Sequence, residues 1–405
     1  MKILAWAVTA SLLAGSGGQQ TGGGDVAQRL KSTYQTAADW MVGQQEAAGS
    51  WKTGVPGQES TSPSYTGLIV TALANAPEEL KAKYKPAVDK AVAYLLSKRN
   101  LDGSVGEGPT GTFLKTYATA ITLMALSSVE RTDAIDDAIR GAQAYLKSNQ
   151  LREGVNRGGS GYGDDAPAMG PDGKPVMKQT VANMSTTGFT AEGLQMSGLP
   201  KDDEFWKLVV EFVRKCQNSS ETNTDAQWLS ALKEKGLSVG DDGGLYYAPI
   251  ADGAAQKAGT KKIADRETIQ SYGSMTYDGI KTYLYAGLQK NSPEVKAAID
   301  WVRKNYTVEV HPGFAFDAAQ RHHLRGLYHY YMVMARALDA FGETPFETFD
   351  GKKHDWPAEL AGQLLKTVKE TKMWQNENPG WYEGDPVLVT SYVLVACDIL
   401  LKHVK

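Results

Sequence analysis

Two cysteines in 405 residues leave no material for a disulfide framework or a cysteine-rich zinc site. Neither sign of charge dominates. The 43 Lys+Arg stand against 46 Asp+Glu, a formal net charge of -3. That gives no electrostatic footprint for nucleic acid or an anionic membrane surface. Long apolar runs are scarce too. The first, Ile3–Ala14 (ILAWAVTASLLA), falls short of the roughly 17–25 residues that span a bilayer. With Lys2 ahead of it and Ala14-Gly15-Ser16 behind it, it has the form of an export signal. The expectation is therefore a signal over 1–16, a flexible Gly/Gln linker over 17–29 and a folded body over 30–405. The mature protein is expected to be soluble and exported, periplasmic or extracellular, with no transmembrane segment after cleavage. Cys216 and Cys397 are expected as two buried thiols.

Charged residues make up 22% and hydrophobic residues 42%, which argues against wholesale disorder. Glycine is the compositional excess. The chain has 42, about a tenth of its residues against a usual ~7%.

Those glycines fall into a repeat. The chain reads AADWMVGQQEAAGSW then SPSYTGLIVTAL from Ala37, and AVAYLLSKRNLDGSVG then KTYATAITLMAL from Ala91. From Gly141 it reads GAQAYLKSNQ, a loop ending GGSGYG, then NMSTTGFTAEGL. Three looser units follow, around Asp242–Tyr246, His311–Phe316 and Asn378–Asp385. Each unit is an amphipathic helix, a glycine turn and a second helix of small and apolar residues. Thr66, Thr119, Thr187 and Thr390 each stand six residues before Ala or Gly in that second helix. Helices with one apolar stripe and a charged face lie outside, and helices apolar all round lie inside. Six pairs with no polar capping unit predict an all-α (α/α)6 toroid. Its turn glycines would be Gly49, Gly103, Gly161, Gly243, Gly313 and Gly380. Long loops at 151–178 and 221–270 are expected to shape the mouth of a central cavity.

The segment Trp40–Trp51 (WMVGQQEAAGSW) resembles the glutamine–tryptophan repeat of squalene–hopene and oxidosqualene cyclases. The chain as a whole resembles the prenyltransferase/squalene-cyclase repeat superfamily. SYGSMTYDGIK, GLYHYYMVMARALDAFG and WYEGDPVLVTSY resemble an exported bacterial squalene-cyclase-like group. The resemblance covers roughly residues 30–405 and implies the toroid. It does not settle activity, because the superfamily holds cyclases, protein prenyltransferases and thioester domains.

Protonating cyclases of this kind carry Asp-x-Asp-Asp at the start of an inner helix, and the acid must be kept protonated. The six corresponding tetrads here are SPSY, KTYA, NMST, YDGI, LYHY and PVLV. Asp278, in the fourth, is the single carboxylate. Asp164-Asp165 and Asp241-Asp242 lie in glycine-rich loops that suit turns. The zinc set of prenyltransferases and the Cys-Gly-Glu-Gln thioester motif are both missing. No metal and no cofactor is implied.

Residues expected to converge on the cavity are Tyr65, Tyr117, Thr187, Tyr272, Tyr277, Tyr328, Tyr331, Trp381 and Tyr392, with Asp278, His329, Glu383 and Asp385 as titratable groups. Each has a plainer reading. Tyr328 and Tyr331 would fill the core, and Asp278 in a first helical turn would cap it through the dipole. Asp385 before Pro386 reads as an N-cap, and Trp51 and Trp381 would brace neighbouring repeats. Three functions stay open. One is an exported protein that binds an apolar, isoprenoid-like ligand or a protein segment without cyclase chemistry. The second is a divergent terpene cyclase with Asp278 as acid. The third is a polysaccharide-active enzyme on the same fold.

Overall fold

A computed structural model describes residues 23–53, 60–106, 114–163, 168–169, 175–176, 181–250 and 257–404. In chain order the helices are α1 (Gly23–Gly43), α2 (Pro63–Ala74), α3 (Glu78–Ser97), α4 (Lys115–Ser127), α5 (Asp133–Ser148), α6 (Met184–Met196), α7 (Glu204–Lys215), α8 (Ala226–Glu234), α9 (Gly273–Tyr285), α10 (Pro293–Asn305), α11 (Leu327–Phe341), α12 (Trp356–Thr367) and α13 (Pro386–His403). The inner ring is α2, α4, α6, α9, α11 and α13. Each packs on the next, and α13 packs back on α2. The outer ring is α1, α3, α5, α7, α10 and α12, and α1 touches both α12 and α13. The inner ring is thus closed, and the first and last outer helices meet.

Burial follows the two sequence types. Along α7 the apolar stripe Phe205, Leu208, Val209, Phe212 and Val213 is buried. Along α9 every residue from Gly273 to Tyr283 is buried, Asp278 and Lys281 included.

The repeat has a specific hydrogen-bond logic. The inner-helix threonine accepts from a backbone N–H of the preceding turn. Trp51 donates to Thr66 (3.2 Å), Val105 to Thr119 (2.9 Å), Ser160 to Thr187 (2.9 Å), Leu245 to Thr276 (3.0 Å) and Trp374 to Thr390 (3.2 Å). The glutamine of the motif ties its turn to the next outer helix. Gln45 Nε2 donates to the Gly49 and Ala87 carbonyls, Gln150 to Gly158 and Phe205, and Gln217 to Gly243 and Glu294. Trp51 Nε1 donates to Met41 O (2.7 Å), and Trp374 Nε1 to Leu364 O (2.9 Å). A turn glycine lies flat on the neighbouring helix. A Cβ at Gly103 (φ +85) would sit 2.3 Å from the Gly141 carbonyl oxygen, a contact that only glycine permits.

These bonds correct the expected register in three places. In the third repeat the turn glycine against the next outer helix is Gly158 (φ +91), not Gly161. In the sixth, Lys372 (φ 65) rather than Gly380 takes that left-handed position and Trp374 is the counterpart of Trp51, while Trp381 packs on His311 and Phe314 of the fifth repeat. In the fourth, Thr276 is the repeat threonine. Asp278 is therefore in the second turn of α9 and caps nothing, because first-turn N–H groups are what a cap must satisfy.

One further expectation is corrected. Helix α1 begins at Gly23, inside the segment read as a linker, since Asp25 favours a helix N-terminus. Helix α13 is long and apolar enough to cross a membrane, with a mean hydropathy of 1.4 over its 18 residues, but it is a mostly buried inner-ring helix. Cys216 and Cys397 are free and buried.

Strands are short. Among the described residues β1 (Ala168–Met169) pairs antiparallel with β2 (Pro175–Val176), and β6 (Phe346–Glu347) with β7 (Lys353–His354). The fourth-repeat insert carries α8 and a sheet ordered β3 (Leu237–Ser238), β5 (Arg266–Ile269), β4 (Thr260–Ile263). Asp164 and Asp165 lie outside the described residues.

Candidate functional site: an aromatic cavity at the helix N-termini

All six inner helices start on the same side, and their first turns surround a cavity of about 500 Å³. The ring contributes Ser64 and Tyr65 from α2, Tyr117 from α4, Ser185 from α6, Ser274 and Met275 from α9, His329 from α11, and Leu388 and Tyr392 from α13. Leu68, Ile121 and Phe189, one turn deeper, complete the lining. The inserts supply Tyr162, Tyr247 and Lys257, and the last turn supplies Trp381, Tyr382 and Glu383.

Helix N-termini expose N–H groups that need acceptors. Ser62, Asn183 and Asp385 cap α2, α6 and α13 with their own side chains. Helices α9 and α11 borrow theirs. His311 Nε2 accepts from Ser274 N (2.9 Å), while its Nδ1–H donates to the Arg325 carbonyl (2.6 Å). Burial pushes the His311 imidazole down to about 3, so it is neutral. Glu383 accepts from His329 N (2.7 Å) and Tyr328 N (3.2 Å) at the start of α11. Asn376 Nδ2 donates to the same carboxylate. Trp381 (φ 58) and Tyr382 (φ 64) are both left-handed. Two such residues in sequence store strain of the order of 1–2 kcal/mol each. The Trp381 indole fills the space over Gly326, where a Cβ would lie 2.3 Å from it.

The wall is mostly apolar, and several of its hydroxyls are used within it. Tyr117 and Ser185 share a hydrogen bond, as do Tyr162 and Tyr247. Tyr117 stacks on Tyr162 with centroids 5.8 Å apart. Burial raises the Tyr117, Tyr272 and Tyr392 phenols well above their usual range. Burial lowers His329 to about 3, helped by Lys281, so its ring is neutral between Phe189 and Tyr392. Burial raises Glu383 to about 7, against the opposing pull of its N–H donors.

Off the cavity wall lies a cluster of four buried charges. Lys281 Nζ is 2.8 Å from Glu192 Oε2 and 2.7 Å from Asp278 Oδ1. The second contact is an ion pair whose geometry falls short of a hydrogen bond. Arg336 Nη1 is 2.8 Å from Glu192 Oε2. Burial raises the Asp278 carboxyl while Lys281 pulls it down. Burial would raise Glu192 too, yet Arg336 and Lys281 together hold it below its ordinary value. A Cβ at residue 188 would sit 2.1 Å from Asp278 Oδ2, so Gly188 makes room for the carboxylate.

Of the residues the sequence singled out, Tyr65, Tyr117, Tyr272, His329, Trp381, Glu383 and Tyr392 line the cavity. The others do not. Thr187 is a repeat threonine, Tyr277 packs on Tyr330, and Asp385 caps α13. Tyr328 packs on Tyr331, whose hydroxyl donates to Val308 O, and Asp278 belongs to the charge cluster. Sequence reasoning missed Glu192, Lys281 and Arg336. Their signal was a charge inside an otherwise small or apolar inner helix (TAEGL, DGIKTY, VMARAL). It also missed Phe189, Tyr162 and Tyr247. Among the described residues, no three His, Cys, Asp or Glu side chains converge as metal ligands.

No protein-family model and no curated protein sequence matches the chain. Solved structures match it in fold. A variant of the type II terpene cyclase MstE from Scytonema, in complex with its product merosterolic acid A, is 14% identical with a TM-score of 0.56, over 94% of this chain and 99% of that one. A second MstE variant, in complex with its substrate geranylgeranyl dihydroxybenzoate, is 13% identical at 0.52, over 94% and 99%. A D-mannose isomerase is 12% identical, also at 0.56, over 93% and 97%. The chain therefore has the α/α-toroid fold that terpene cyclases share with sugar isomerases.

Proposed function

We propose that this toroid is an exported binding protein whose cavity encloses an apolar, isoprenoid-like ligand without initiating its cyclisation. One observation carries the reading: the wall is aromatic and aliphatic, and hydroxyls on it bond within the wall, Tyr117 to Ser185 and Tyr162 to Tyr247. Such a surface favours a ligand that brings few polar groups. At about 500 Å³ the cavity falls in the range of roughly 300–1,000 Å³ that holds small molecules. The isoprenoid-derived molecules held by the Scytonema cyclase add support. Asp278 lends none to acid-initiated chemistry, since its carboxylate is off the wall and paired with Lys281. A sugar would need many free donors and acceptors, and two-carboxylate hydrolysis would need a second acid facing the cavity.

The test is fluorescence titration with farnesol, geranylgeraniol and maltose, with Trp381→Phe to assign the signal. Saturable binding of the two alcohols, abolished by Ile121→Trp, is expected. A folded protein that binds neither alcohol, or prefers maltose, would overturn the reading. Export rests on the Lys2 to Ser16 segment. Mass analysis of the N-terminus should find it shortened in protein recovered outside the cytoplasm. Full-length protein in the cytosol would count against it.

A further inference from the structure

We infer that the cavity takes its ligand as an organic cation: a hydrophobic ammonium whose head lies against Glu383 and the surrounding aromatic faces. This rests on the cavity being a ligand site and adds the charge of the ligand.

The argument starts from charge accounting. A carboxylate taken out of water requires a cation or a full set of hydrogen bonds. Glu192 and Asp278 have Lys281 and Arg336, and Glu294 has Arg214. Glu383 is 1% exposed and lies on the cavity wall. Its donors are the Leu327, Tyr328 and His329 amides and the Asn376 side chain, all neutral. Among the described residues no Lys, Arg or His side-chain nitrogen is paired with it within ion-pair distance. The two cations of the buried cluster are already matched by two carboxylates. The wall's own cation, Lys257, sits 4.9 Å from the centre of the Tyr247 ring rather than at Glu383.

The surroundings fit the same answer. Tyr65, Tyr117, Tyr272, Trp381 and Tyr392 present π-systems to the cavity. Ring faces attract cations, most strongly where water is excluded, and quaternary ammonium groups are held this way in aromatic cages. The titratable side chains facing Glu383 are the phenols of Tyr328 and Tyr331 on α11 and of Tyr392 on α13. None offers a positive charge. Burial, which lifts this carboxyl to about 7, is the cost that a bound ammonium would offset. The long apolar wall then suits an alkyl or prenyl tail.

The experiment compares octyltrimethylammonium, 1-octanol and octanoate by isothermal titration with the intact chain at pH 8. The cation should bind at least tenfold more tightly than the alcohol, with octanoate weakest. Glu383→Gln should cut the cation-to-alcohol preference below threefold. Should that variant fail to fold, Trp381→Leu, which keeps the carboxylate, should lower the preference at least threefold. Equal binding of octanol and the cation, or a preference unchanged in the variant, overturns the cation assignment and leaves the apolar reading standing. A folded protein that binds neither probe overturns both.

Discussion

Removing Lys281 tests whether the four buried charges act as one unit. The ammonium contacts Glu192 and Asp278 and is only 2% exposed at its side chain. Lys281→Met keeps most of the volume and leaves two carboxylates facing one guanidinium. Breaking a buried pair on one side costs about 3–5 kcal/mol. Unfolding entropy of about 2.1 cal/mol/K per residue over 405 residues gives roughly 0.8 kcal/mol/K, so Tm should fall by about 4–6 °C. Asp278→Asn alone should cost less, because Glu192 still holds both cations. The double variant, Asp278→Asn with Lys281→Met, loses one charge of each sign, keeps only the Glu192–Arg336 pair and restores the balance. It should regain about half of the loss, a coupling of roughly 1.5–3 kcal/mol by double-mutant cycle. The assay is thermal unfolding followed by circular dichroism, repeated in urea. A double variant whose loss equals the sum of the singles within about 0.5 kcal/mol would refute the idea that the charges are energetically joined.

Other outcomes follow from single positions. Gly188→Ala should destabilise by more than about 2 kcal/mol, because the new methyl displaces the Asp278 carboxylate; a neutral effect in urea unfolding would contradict that close approach. Thr390→Val should cost about 1–3 kcal/mol by orphaning the Trp374 amide, whereas Thr390→Ser should cost less; equal losses for both would point to packing instead. Glu383 gives a pH signature. Its folded value, about 7 against an ordinary 4.5, is raised, so its contribution is full below 4.5 and fades as pH rises through 7. The wild type should therefore lose up to roughly 3 kcal/mol between pH 4.5 and pH 8 relative to Glu383→Gln; parallel stability curves for the two proteins would remove Glu383 as the cause.

The architecture was readable because it repeats. Helix pairs, glycine turns and the Thr66, Thr119, Thr187 and Thr390 positions recur, and the closure of six pairs followed from them. Register failed where repeats diverge. In the fourth unit the tetrad YDGI places Asp278 at a helix start, whereas α9 begins at Gly273 and its repeat threonine is Thr276. The sixth hid its turn because Lys372 adopts the left-handed conformation that glycine takes elsewhere. The cavity's aromatic rim was legible, since a residue in the first turn of an inner helix faces the mouth. The charge cluster was not. Glu192 and Arg336 are 144 positions apart in the chain, and no local pattern announces that three inner helices bring their charges to one point.

The seam where α1 meets α12 and α13 has a consequence for biogenesis. A chain delivered from its N-terminus holds α1 and α2 with an open apolar flank until the last helix arrives. Every earlier repeat can stack on its predecessor, but none can finish the circle. Completion is therefore a late, single event that depends on residues 386–403, and until then the exposed flanks of α1 and α2 are what a holding chaperone would meet.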